Sequence, residues 1–276
     1  MSLPAGASQV RRVGGGDINE TFRVVLADGR EAFVKTRADA PRGEYAAEAE
    51  GLQWLAEPGA LRTPRVLELS DGHLALEWIE PGALSVDGAE QLGRGLADTH
   101  LAGAPVFGTR GPGASGFGWL RLSNGPAADW ASFYAERRLA PMTRISAERG
   151  VFSPAGVRAL ERVCERLPAL LGPAERPARL HGDLWGGNVM ADPAGRPWLI
   201  DPAAYGGHRE VDLAMLRLFG VPGGERTLAA YSERSPLAEG WQERVELYQL
   251  APLLVHALLF GGSYVHDVER IAKRFG

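Results

Sequence analysis

Hydrophobic and polar residues alternate with a period of two in the first part of the chain. The runs TFRVVL (21–26) and EAFVKT (31–36) flank an Asp28-Gly29 pair, which is a strong hairpin signal between strand-like segments. The helical run EYAAEAEGLQWLAE follows, and RVLEL and HLALEWI then predict two further strands, with another at residues 9–13. The residues before about 80 therefore predict a small antiparallel sheet with one helix.

Apolar positions repeat at helical spacing after this point. Leu92, Leu96 and His100 share one face, and further helices are predicted by WASFYAERRL, VRALERVCERL, VDLAMLRLF and WQERVELYQLAPLLVHALLFGGSYV. Residues 105–126 are rich in glycine without periodicity, which predicts a long connection. The pattern predicts an α+β fold with an N-terminal lobe at 1–80 and a larger, mainly helical C-terminal lobe at 81–276.

Composition and charge exclude several classes of function. The 276 residues carry a formal charge of −4 without a basic stripe, so we expect no nucleic-acid partner. No segment reaches the ~18 apolar residues of a membrane span and the start has no secretory signal, so we expect no membrane association. The single Cys164 lies on the apolar face of a predicted helix, which favours a reduced, cytoplasmic protein.

The stretch LHGDLWGGNV and the run VMADPAGRPWLID that overlaps it are the most informative part of the chain. A turn at 192–195 would fold the chain so that Asn188 lies opposite Asp201 across two strands. An amide oxygen and a carboxylate that converge in this way suit Mg²⁺, which takes few protein ligands and keeps water and phosphate in its other positions.

Asp183, five residues before Asn188, would lie on the loop that leads into this hairpin. A free carboxylate beside the metal could accept the proton of a substrate hydroxyl as a phosphoryl group arrives. The alternative is that Asp183 and Asn188 only fix a tight turn by bonding to the backbone. Asp201, which ends a strand thirteen residues after Asn188, favours the catalytic interpretation.

The N-terminal part offers a place for phosphate groups. VGGGDIN contains Gly14, Gly15 and Gly16 between two predicted strands, so its backbone N–H groups could approach phosphate oxygens. The alternative is a glycine-rich hairpin loop that binds nothing.

Lys35 ends the second strand in an apolar run, where a lysine usually has a partner. Glu48 on the following helix, or Glu44 one turn earlier, could pair with it and direct its ammonium toward phosphates. A lysine that protects an edge strand from pairing is the alternative. That alternative leaves the glycine loop before Lys35 and the acidic helix after it unexplained.

The order of these motifs resembles a known family. GGGDIN, FVKT, AEAEGL, LEWIE, LHGDLWGGNV and IDPAAYGGHREVDLAM are similar to the fructosamine kinase (ketosamine 3-kinase) family, in the aminoglycoside phosphotransferase-like branch of the protein-kinase fold. The resemblance runs from about Val13 to the C-terminus and implies a two-lobed fold with ATP in the cleft.

The resemblance also implies a role for each matching residue. Asp183 would be the catalytic base, and Asn188 and Asp201 would be the Mg²⁺ ligands. Lys35 and Glu48 would form the ion pair that positions the phosphates, and Glu77 to Ile79 would be the hinge that meets adenine. His181 and Asp212 would support the catalytic loop. Trp185 would form a wall against the substrate sugar or, alternatively, pack between helices. Some members carry a cysteine in the glycine loop, and GGGDIN has none, so we expect no thiol control there.

The activity that the resemblance implies is transfer of the γ-phosphoryl of ATP to the 3-hydroxyl of a ketosamine, the rearranged adduct of a sugar and an amine. The phosphorylated adduct then decays and frees the amine, which amounts to deglycation. Ribulosamines, fructosamines and erythrulosamines, free or on protein lysines, are all candidate acceptors. The alternatives are a kinase of the same fold for an aminoglycoside, choline or an amino-sugar, and a nucleotide-binding protein without catalysis.

Overall fold

The computed structural model describes residues 2–14, 19–109, 114–117 and 119–276, and only the backbone of 114–117. Gly15 and Gly16, which the sequence assigns to phosphate binding, lie outside the described residues, whereas Gly14 lies within them.

An antiparallel sheet of five strands occupies the first part of the chain, in the order β1-β2-β3-β5-β4. The strands are β1 (Ser8–Arg12), β2 (Glu20–Val25), β3 (Glu31–Thr36), β4 (Val66–Leu69) and β5 (His73–Glu77). The Asp28-Gly29 turn joins β2 to β3, and Gly29 has the positive φ of 85° that such a turn requires. All five predicted strands are therefore present.

Helix α1 (Glu44–Ala56) packs on one face of this sheet. Tyr45, Ala49 and Leu52 on the helix are buried against Leu74 and Leu76 of β5, because apolar residues alternate along that strand and face the helix. This packing brings the helix close to the end of β3, where Lys35 contacts the partly buried Glu48 of the helix.

The remainder of the described chain is mainly helical. Its helices are α2 (Val86–Ala102), α3 (Trp130–Tyr134), α4 (Ala140–Glu148), α5 (Pro154–Leu170), α6 (Glu210–Phe219), α7 (Gly224–Arg234), α8 (Trp241–Phe260) and α9 (Ser263–Phe275). In α5, Cys164 is half-buried, and burial raises the pKa of its thiol to about 11, as expected for a packing residue. Within the described ranges, none of the helices combines the length and hydropathy needed to cross a membrane.

The predicted long connection at 105–126 contains a hairpin that the sequence pattern did not predict. Strands β6 (Ala114–Phe117) and β7 (Leu120–Ser123) pair antiparallel. Each strand has four residues, which is too short to show a period in the sequence. A side chain from elsewhere secures the end of β7: Arg138, in a short π-helix at Ala135–Leu139, donates to the Ser123 carbonyl at 3.0 Å.

Two short strand pairs follow α5 in the chain and contain or flank the LHGDLWGGNV and VMADPAGRPWLID stretches. Strand β8 (Ala178–Leu180) pairs with β11 (Tyr205–Gly207), and β9 (Val189–Ala191) pairs with β10 (Pro197–Leu199). The five-stranded sheet ends at Glu77 and α2 begins at Val86, a segment that contains the predicted lobe boundary at residue 80. The division into lobes at that residue stays a prediction.

Candidate active site

The loop after β8 holds Asp183 through a side chain five residues away. Asn188, in a single 3₁₀ turn at Gly186–Asn188, donates from Nδ2 to the Asp183 carbonyl at 2.8 Å and to Asp183 Oδ2 at 3.1 Å. The loop is thereby closed on itself, and the Asn188 Oδ1 atom is left for another partner. The turn-fixing and catalytic interpretations of these two residues are therefore compatible, because Asn188 also closes a turn.

Asp212, in the first turn of α6, supports this loop from behind. Its carboxylate accepts hydrogen bonds from the backbone N–H of His181 at 2.8 Å and of Gly182 at 3.0 Å. It also contacts His100 Nε2 at 3.2 Å, whose ring in turn meets Tyr231 Oη at 2.8 Å. Burial would raise the pKa of Asp212, but the hydrogen bonds from His100 and the Gly182 backbone N–H contribute to an opposing effect that lowers the pKa. Asp212 is therefore a buried anion that orients the loop backbone.

His181 contributes a second support that needs no titration. Its Nε2 atom donates to the Ile200 carbonyl at 2.9 Å, and its Nδ1 atom accepts from the Asp183 backbone N–H at 3.3 Å. Both contacts fit the neutral imidazole, and burial lowers the pKa of His181 in agreement. Between these supports, Gly182 has a φ of 82°, and a Cβ there would lie 2.2 Å from the Ala203 carbonyl oxygen. The loop therefore requires glycine at this position.

The surroundings of Asp183 raise the pKa of its carboxyl group. Burial raises the pKa to about 7, the hydrogen bond from Asn188 opposes the shift, and the negative charges of Asp201 and Asp212 add to it. A raised pKa makes the ionised carboxylate a stronger base, which makes Asp183 a candidate for proton transfer.

The hairpin after the loop has a register that differs by one residue from the prediction. The Ile200 backbone N–H donates to the Asn188 carbonyl at 3.1 Å, so Asn188 lies opposite Ile200 and not opposite Asp201. The cause is the three-residue loop at 193–195, closed by Asp192 and Arg196, in which Gly195 has a φ of 75°. Because this loop has an odd number of residues, each residue of β9 lies opposite the residue one position earlier in β10 than predicted.

Asp201 is nevertheless directed toward the site. It has a left-handed backbone with a φ of 54°, and its carboxylate contacts Lys35 Nζ. Asn188 and Asp201 thus supply an amide oxygen and carboxylate oxygens, the donors that Mg²⁺ prefers. No cluster of three or more His, Cys, Asp or Glu that could enclose a metal occurs among the described residues. A two-ligand set fits an ion that completes its coordination with water and phosphate.

Lys35 connects the sheet to this hairpin. It is 5% exposed, and its Nζ donates to Glu48 Oε1 at 2.8 Å as well as to Asp201. Glu44 instead contacts Arg37 at 3.1 Å and Arg121 at 2.6 Å. Burial would lower the pKa of Lys35, but the Glu48 and Asp201 carboxylates outweigh it and raise the pKa, so the ammonium stays charged.

The edge-strand explanation for Lys35 was wrong, because β3 lies between β2 and β5 inside the sheet. Of the two acidic candidates in the sequence, the structure pairs Lys35 with Glu48.

The segment assigned to adenine binding follows directly from β5. Glu77 ends the strand and pairs with Arg65 at 2.6 Å, and Ile79 is buried. The Trp78 backbone N–H donates to the Glu31 carbonyl at 3.3 Å, which ties the segment to β3. Contact of Glu77 and Ile79 with adenine stays a prediction, as does phosphate binding by Gly14.

The model of the family described as fructosamine kinase matches residues 3–275. The chain belongs to the fructosamine kinase family. A relative named as a ketoamine kinase from Enterococcus faecium is 36% identical over 268 residues, which cover 95% of this chain and 93% of the relative. The protein-ribulosamine 3-kinase of Arabidopsis thaliana chloroplasts is 32% identical over 262 residues, which cover 93% and 79%.

Solved structures agree with this membership in the fructosamine kinase family. A crystal structure named as a fructosamine-3-kinase from Thermobifida fusca has a TM-score of 0.89 and 44% identity, over 97% of this chain and 94% of that one. A choline kinase from Streptococcus pneumoniae has a TM-score of 0.64 at 17% identity, over 98% and 94%. The fold is therefore protein-kinase-like, which confirms the predicted fold class.

In this member of the fructosamine kinase family, a pocket opens beside Asp183. Most of its lining is apolar and comes from six helices and strands and the loop after β8. The lining residues are Leu122, Arg138, Met142, Gly182, Asp183, Tyr205, Val211, Met215, Ala251, Pro252, Val255 and His256. The cavity is narrow, with a volume of about 50 Å³, and its lining combines one carboxylate with few other polar groups.

Two polar residues of this pocket escaped the sequence analysis. Arg138 is buried, lies over the rings of Phe133 at 4.7 Å and Tyr205 at 4.3 Å, and donates to Asn124 Oδ1 at 2.6 Å. His256 donates from Nδ1 to the Pro252 carbonyl at 2.8 Å, which leaves Nε2 as an acceptor. Each lies on a helix far from the motifs, and only the unusual position of a charge in RRL, or of a histidine in LLVHALL, could have indicated them.

Trp185 lies near this pocket but is not among the described residues that line it. Its side chain is 41% exposed and meets Phe219 edge-on, with ring centroids 6.1 Å apart. The contact with Phe219 is a packing contact with α6, and both predicted roles of Trp185, a wall against the substrate sugar and packing between helices, stay predictions.

Proposed function

We propose that this protein transfers the γ-phosphoryl group of ATP to the 3-hydroxyl of a ketosamine. The observation that carries the proposal is the position of Asp183, whose carboxylate lines the pocket, accepts a hydrogen bond from Asn188 and has its pKa raised by burial to about 7. The Lys35–Glu48 pair and Asp201 lie on the side of the sheet, where a nucleotide phosphate would approach.

Each residue has a distinct role in this proposal. Asp183 accepts the proton of the attacking hydroxyl, and Asn188 holds the carboxylate in place. Lys35, fixed by Glu48, positions the phosphates of ATP. Asn188 and Asp201 would hold Mg²⁺, which when bound neutralises charge on the phosphates. His181 and Asp212 keep the loop in one conformation, so the base is placed before the substrate arrives.

The names of the relatives support the choice of acceptor. The Enterococcus faecium protein is named as a ketoamine kinase, and the Arabidopsis thaliana protein is a protein-ribulosamine 3-kinase. The likeness to choline kinase and aminoglycoside phosphotransferases extends only to the fold, so those acceptors are the alternatives to test.

The test is ATP consumption with Mg²⁺ in the presence of the ribulose or fructose adduct of a simple amine, with the free amine and free sugar as controls. Turnover with the adducts alone is the expected result. Turnover with choline or an aminoglycoside and not with the adducts would replace the acceptor. ATP binding without transfer to any acceptor would instead identify a nucleotide-binding protein without catalysis.

A further inference from the structure

Two arginines that lie outside the five-stranded sheet hold helix α1 at its two ends. We define this arginine clamp as Arg121 on β7 and Arg179 on β8. Arg121 contacts the carboxylate of Glu44, in the first turn of α1, at 2.6 Å. Arg179 contacts the carboxylate of Glu57, which directly follows the last turn, at 2.7 Å. The clamp therefore ties both ends of α1 to strands of the mainly helical part.

Arg179 also binds the end of α1 through its backbone and an aromatic ring. The Arg179 side chain is 12% exposed, lies over the Trp54 ring at 4.6 Å and donates to the Trp54 carbonyl. It donates in addition to the Gly103 carbonyl at the end of α2, at 3.3 Å. A cation is favourable at the C-terminal end of a helix, and this guanidinium meets two such ends. Strand β8 is therefore joined to both helices.

The first turn of α1 depends on Arg121 in a different way. The helix begins after Gly43, which has no side chain that could cap the first turn. Glu44 is shared between Arg121 and Arg37, and Arg37 directly follows β3 of the sheet. Among the ion pairs of the described residues, Arg121–Glu44 is the one that joins this end of α1 to the helical part.

Glu48 lies between the two ends and faces the candidate site. Its carboxylate accepts from Lys35 Nζ at 2.8 Å. Three residues further along α1, a Cβ at Gly51 would lie 3.3 Å from Pro202 Cγ, so the middle of the helix closely approaches the segment after Asp201. A helix held only at its middle can pivot about that contact. The clamp at both ends prevents the pivot and keeps Glu48 at Lys35.

The position of Glu48 matters because Lys35 has two acidic partners. The Lys35 ammonium contacts both Glu48 and Asp201. If α1 pivots and Glu48 withdraws, the buried ammonium is left with the Asp201 carboxylate and is drawn toward it. A small movement of the helix would therefore change the place where phosphates are expected to bind, while the packing of the sheet is kept.

We propose that Arg121 and Arg179 are positioning residues for the nucleotide, which act through α1 by holding Glu48 against Lys35. This inference rests on the proposed function, because it takes the phosphates of ATP to bind at Lys35. Both arginines act through the helix and not by contact with the nucleotide. Since Arg121 is 36% exposed and Glu44 21%, their ion pair contributes modestly, and a change of a few fold in ATP affinity is expected.

The test measures the Kd for ATP with Mg²⁺ by titration calorimetry on the intact chain, without an acceptor. Arg121→Gln should raise this Kd about threefold, because it breaks the pair with Glu44. Arg121→Lys keeps the charge and should recover most of the affinity. Arg179→Lys keeps the buried charge but loses the planar fork, and combining it with Arg121→Gln should raise the Kd about tenfold.

Three readouts distinguish positioning from general support of the fold. The difference in Kd between Arg121→Gln and the wild-type protein should nearly vanish at roughly 1 M NaCl, where charges are screened beyond about 3 Å. In steady-state kinetics the KM for ATP should rise, and the KM for the acceptor should change less than about twofold. The Tm of Arg121→Gln should lie within about 3 °C of the wild-type value, because an exposed ion pair adds little stability.

Arg226→Gln is the matched control. Arg226 is 54% exposed and pairs with Glu90 at 3.0 Å, which joins α7 to α2 and leaves α1 untouched. The Kd for ATP should change less than about twofold in this variant. An equal rise in Kd in Arg226→Gln and Arg121→Gln would overturn the proposal.

Two further results would also overturn the positioning role. One is a wild-type Kd for ATP in both Arg121→Gln and the double variant. The other is a loss of affinity in Arg121→Lys as large as that in Arg121→Gln. Failure of the wild-type protein to bind ATP is a separate result, which would remove the proposed function and the positioning role with it.

Discussion

The carboxylate of Asp183 is held by Asn188 on one side and by the backbone that Asp212 orients on the other. This arrangement separates two tasks that a phosphotransferase must perform. Asp183 would act on the acceptor, whereas Asp201 would act on the metal and the nucleotide. Substitutions at the two carboxylates should therefore affect different steps.

Asp183→Asn should lower kcat by about 10²- to 10⁴-fold and change the affinity for ATP with Mg²⁺ less than about twofold, because only proton acceptance is lost. Steady-state kinetics with a ribulosamine and calorimetric titration with ATP would measure the two effects. Near-normal turnover in this variant would show that another group is the base.

His208 makes stability depend on pH at a residue away from the proposed chemistry. It is 3% exposed, its ring stacks on Tyr248 at 5.3 Å, and its Nδ1 atom accepts from the Glu210 backbone N–H at 3.3 Å. That hydrogen bond needs the neutral ring, and burial lowers the pKa of His208 to about 4. The unfolded chain therefore binds a proton at a higher pH than the folded protein does.

Because the folded pKa is depressed, the contribution of His208 to stability is complete above about pH 6.5 and is lost as the pH falls toward 4. The loss should reach roughly 3 kcal/mol in the free energy of unfolding. Urea unfolding of His208→Gln between pH 7 and 4 should show a flatter dependence than that of the wild-type protein. His266→Gln is the control, since His266 is exposed; an equal flattening in both variants would contradict the assignment.

At the scale of elements, α2 and α7 approach closely at one glycine. A Cβ at Gly93 on α2 would lie 2.1 Å from the Thr227 carbonyl oxygen and 2.9 Å from the Tyr231 backbone nitrogen. The two helices can therefore reach this separation only without a side chain at Gly93. The contact between the helices also supports the loop that contains Asp183. Tyr231 on α7 contacts His100 on α2, and His100 contacts Asp212, which binds the backbone of that loop.

Gly93→Ala should lower the free energy of unfolding by about 1–3 kcal/mol, because the overpacking outweighs the helix propensity that alanine adds. Gly224→Ala is the matched control on α7, where an added Cβ would make an ordinary contact of 3.4 Å with Val221. The control should be neutral or slightly stabilising in thermal unfolding. Equal stabilities for the two variants would contradict the packing argument.

Local patterns predicted most elements but not the way in which they assemble. The Asp28-Gly29 pair correctly predicted the β2–β3 hairpin because that turn is encoded by the two residues themselves. The β9–β10 register was off by one, since the length of the loop at 193–195 depends on where the last pair closes. Strands β6 and β7 were missed because four residues are too few to show a period.

The same limit applies to the candidate site. Asp183 and Asn188 could be placed together from the sequence because one short loop contains both. Arg138 and His256 could not, because they enter the pocket from helices whose packing no local pattern encodes. Lys35 and Asp201 are 166 positions apart, and only the family resemblance connected them before the structure did.

At the scale of the whole molecule, the sheet and the helical part meet through buried and partly buried ion pairs. Lys35 on β3 contacts Asp201 after β10, and Arg179 on β8 pairs with Glu57 after α1 at 2.7 Å. A ligand that binds across this junction should stabilise both parts together, since it binds only the folded chain.

ATP with Mg²⁺ at a hundredfold excess over its Kd should therefore stabilise the fold by about 2.7 kcal/mol, which corresponds to a rise in Tm of roughly 5–10 °C. Adding EDTA should reduce this rise in Tm in the wild-type protein. In Asp201→Asn, ATP with Mg²⁺ should raise the Tm only slightly, and EDTA should not change that small rise. Asp183→Asn should show the same rise in Tm, and the same response to EDTA, as the wild type. A full metal-dependent rise in Asp201→Asn would exclude Asp201 as a ligand.

The left-handed backbone at Asp201 carries a cost in folding free energy that the protein cannot easily remove. A residue with a Cβ in this conformation costs roughly 1 kcal/mol relative to glycine, even though aspartate tolerates it better than most. Glycine would relieve the backbone but would also delete the carboxylate that pairs with the buried Lys35 ammonium. A directed-evolution campaign for heat resistance should therefore gain little at this codon and find its improvements elsewhere in the chain.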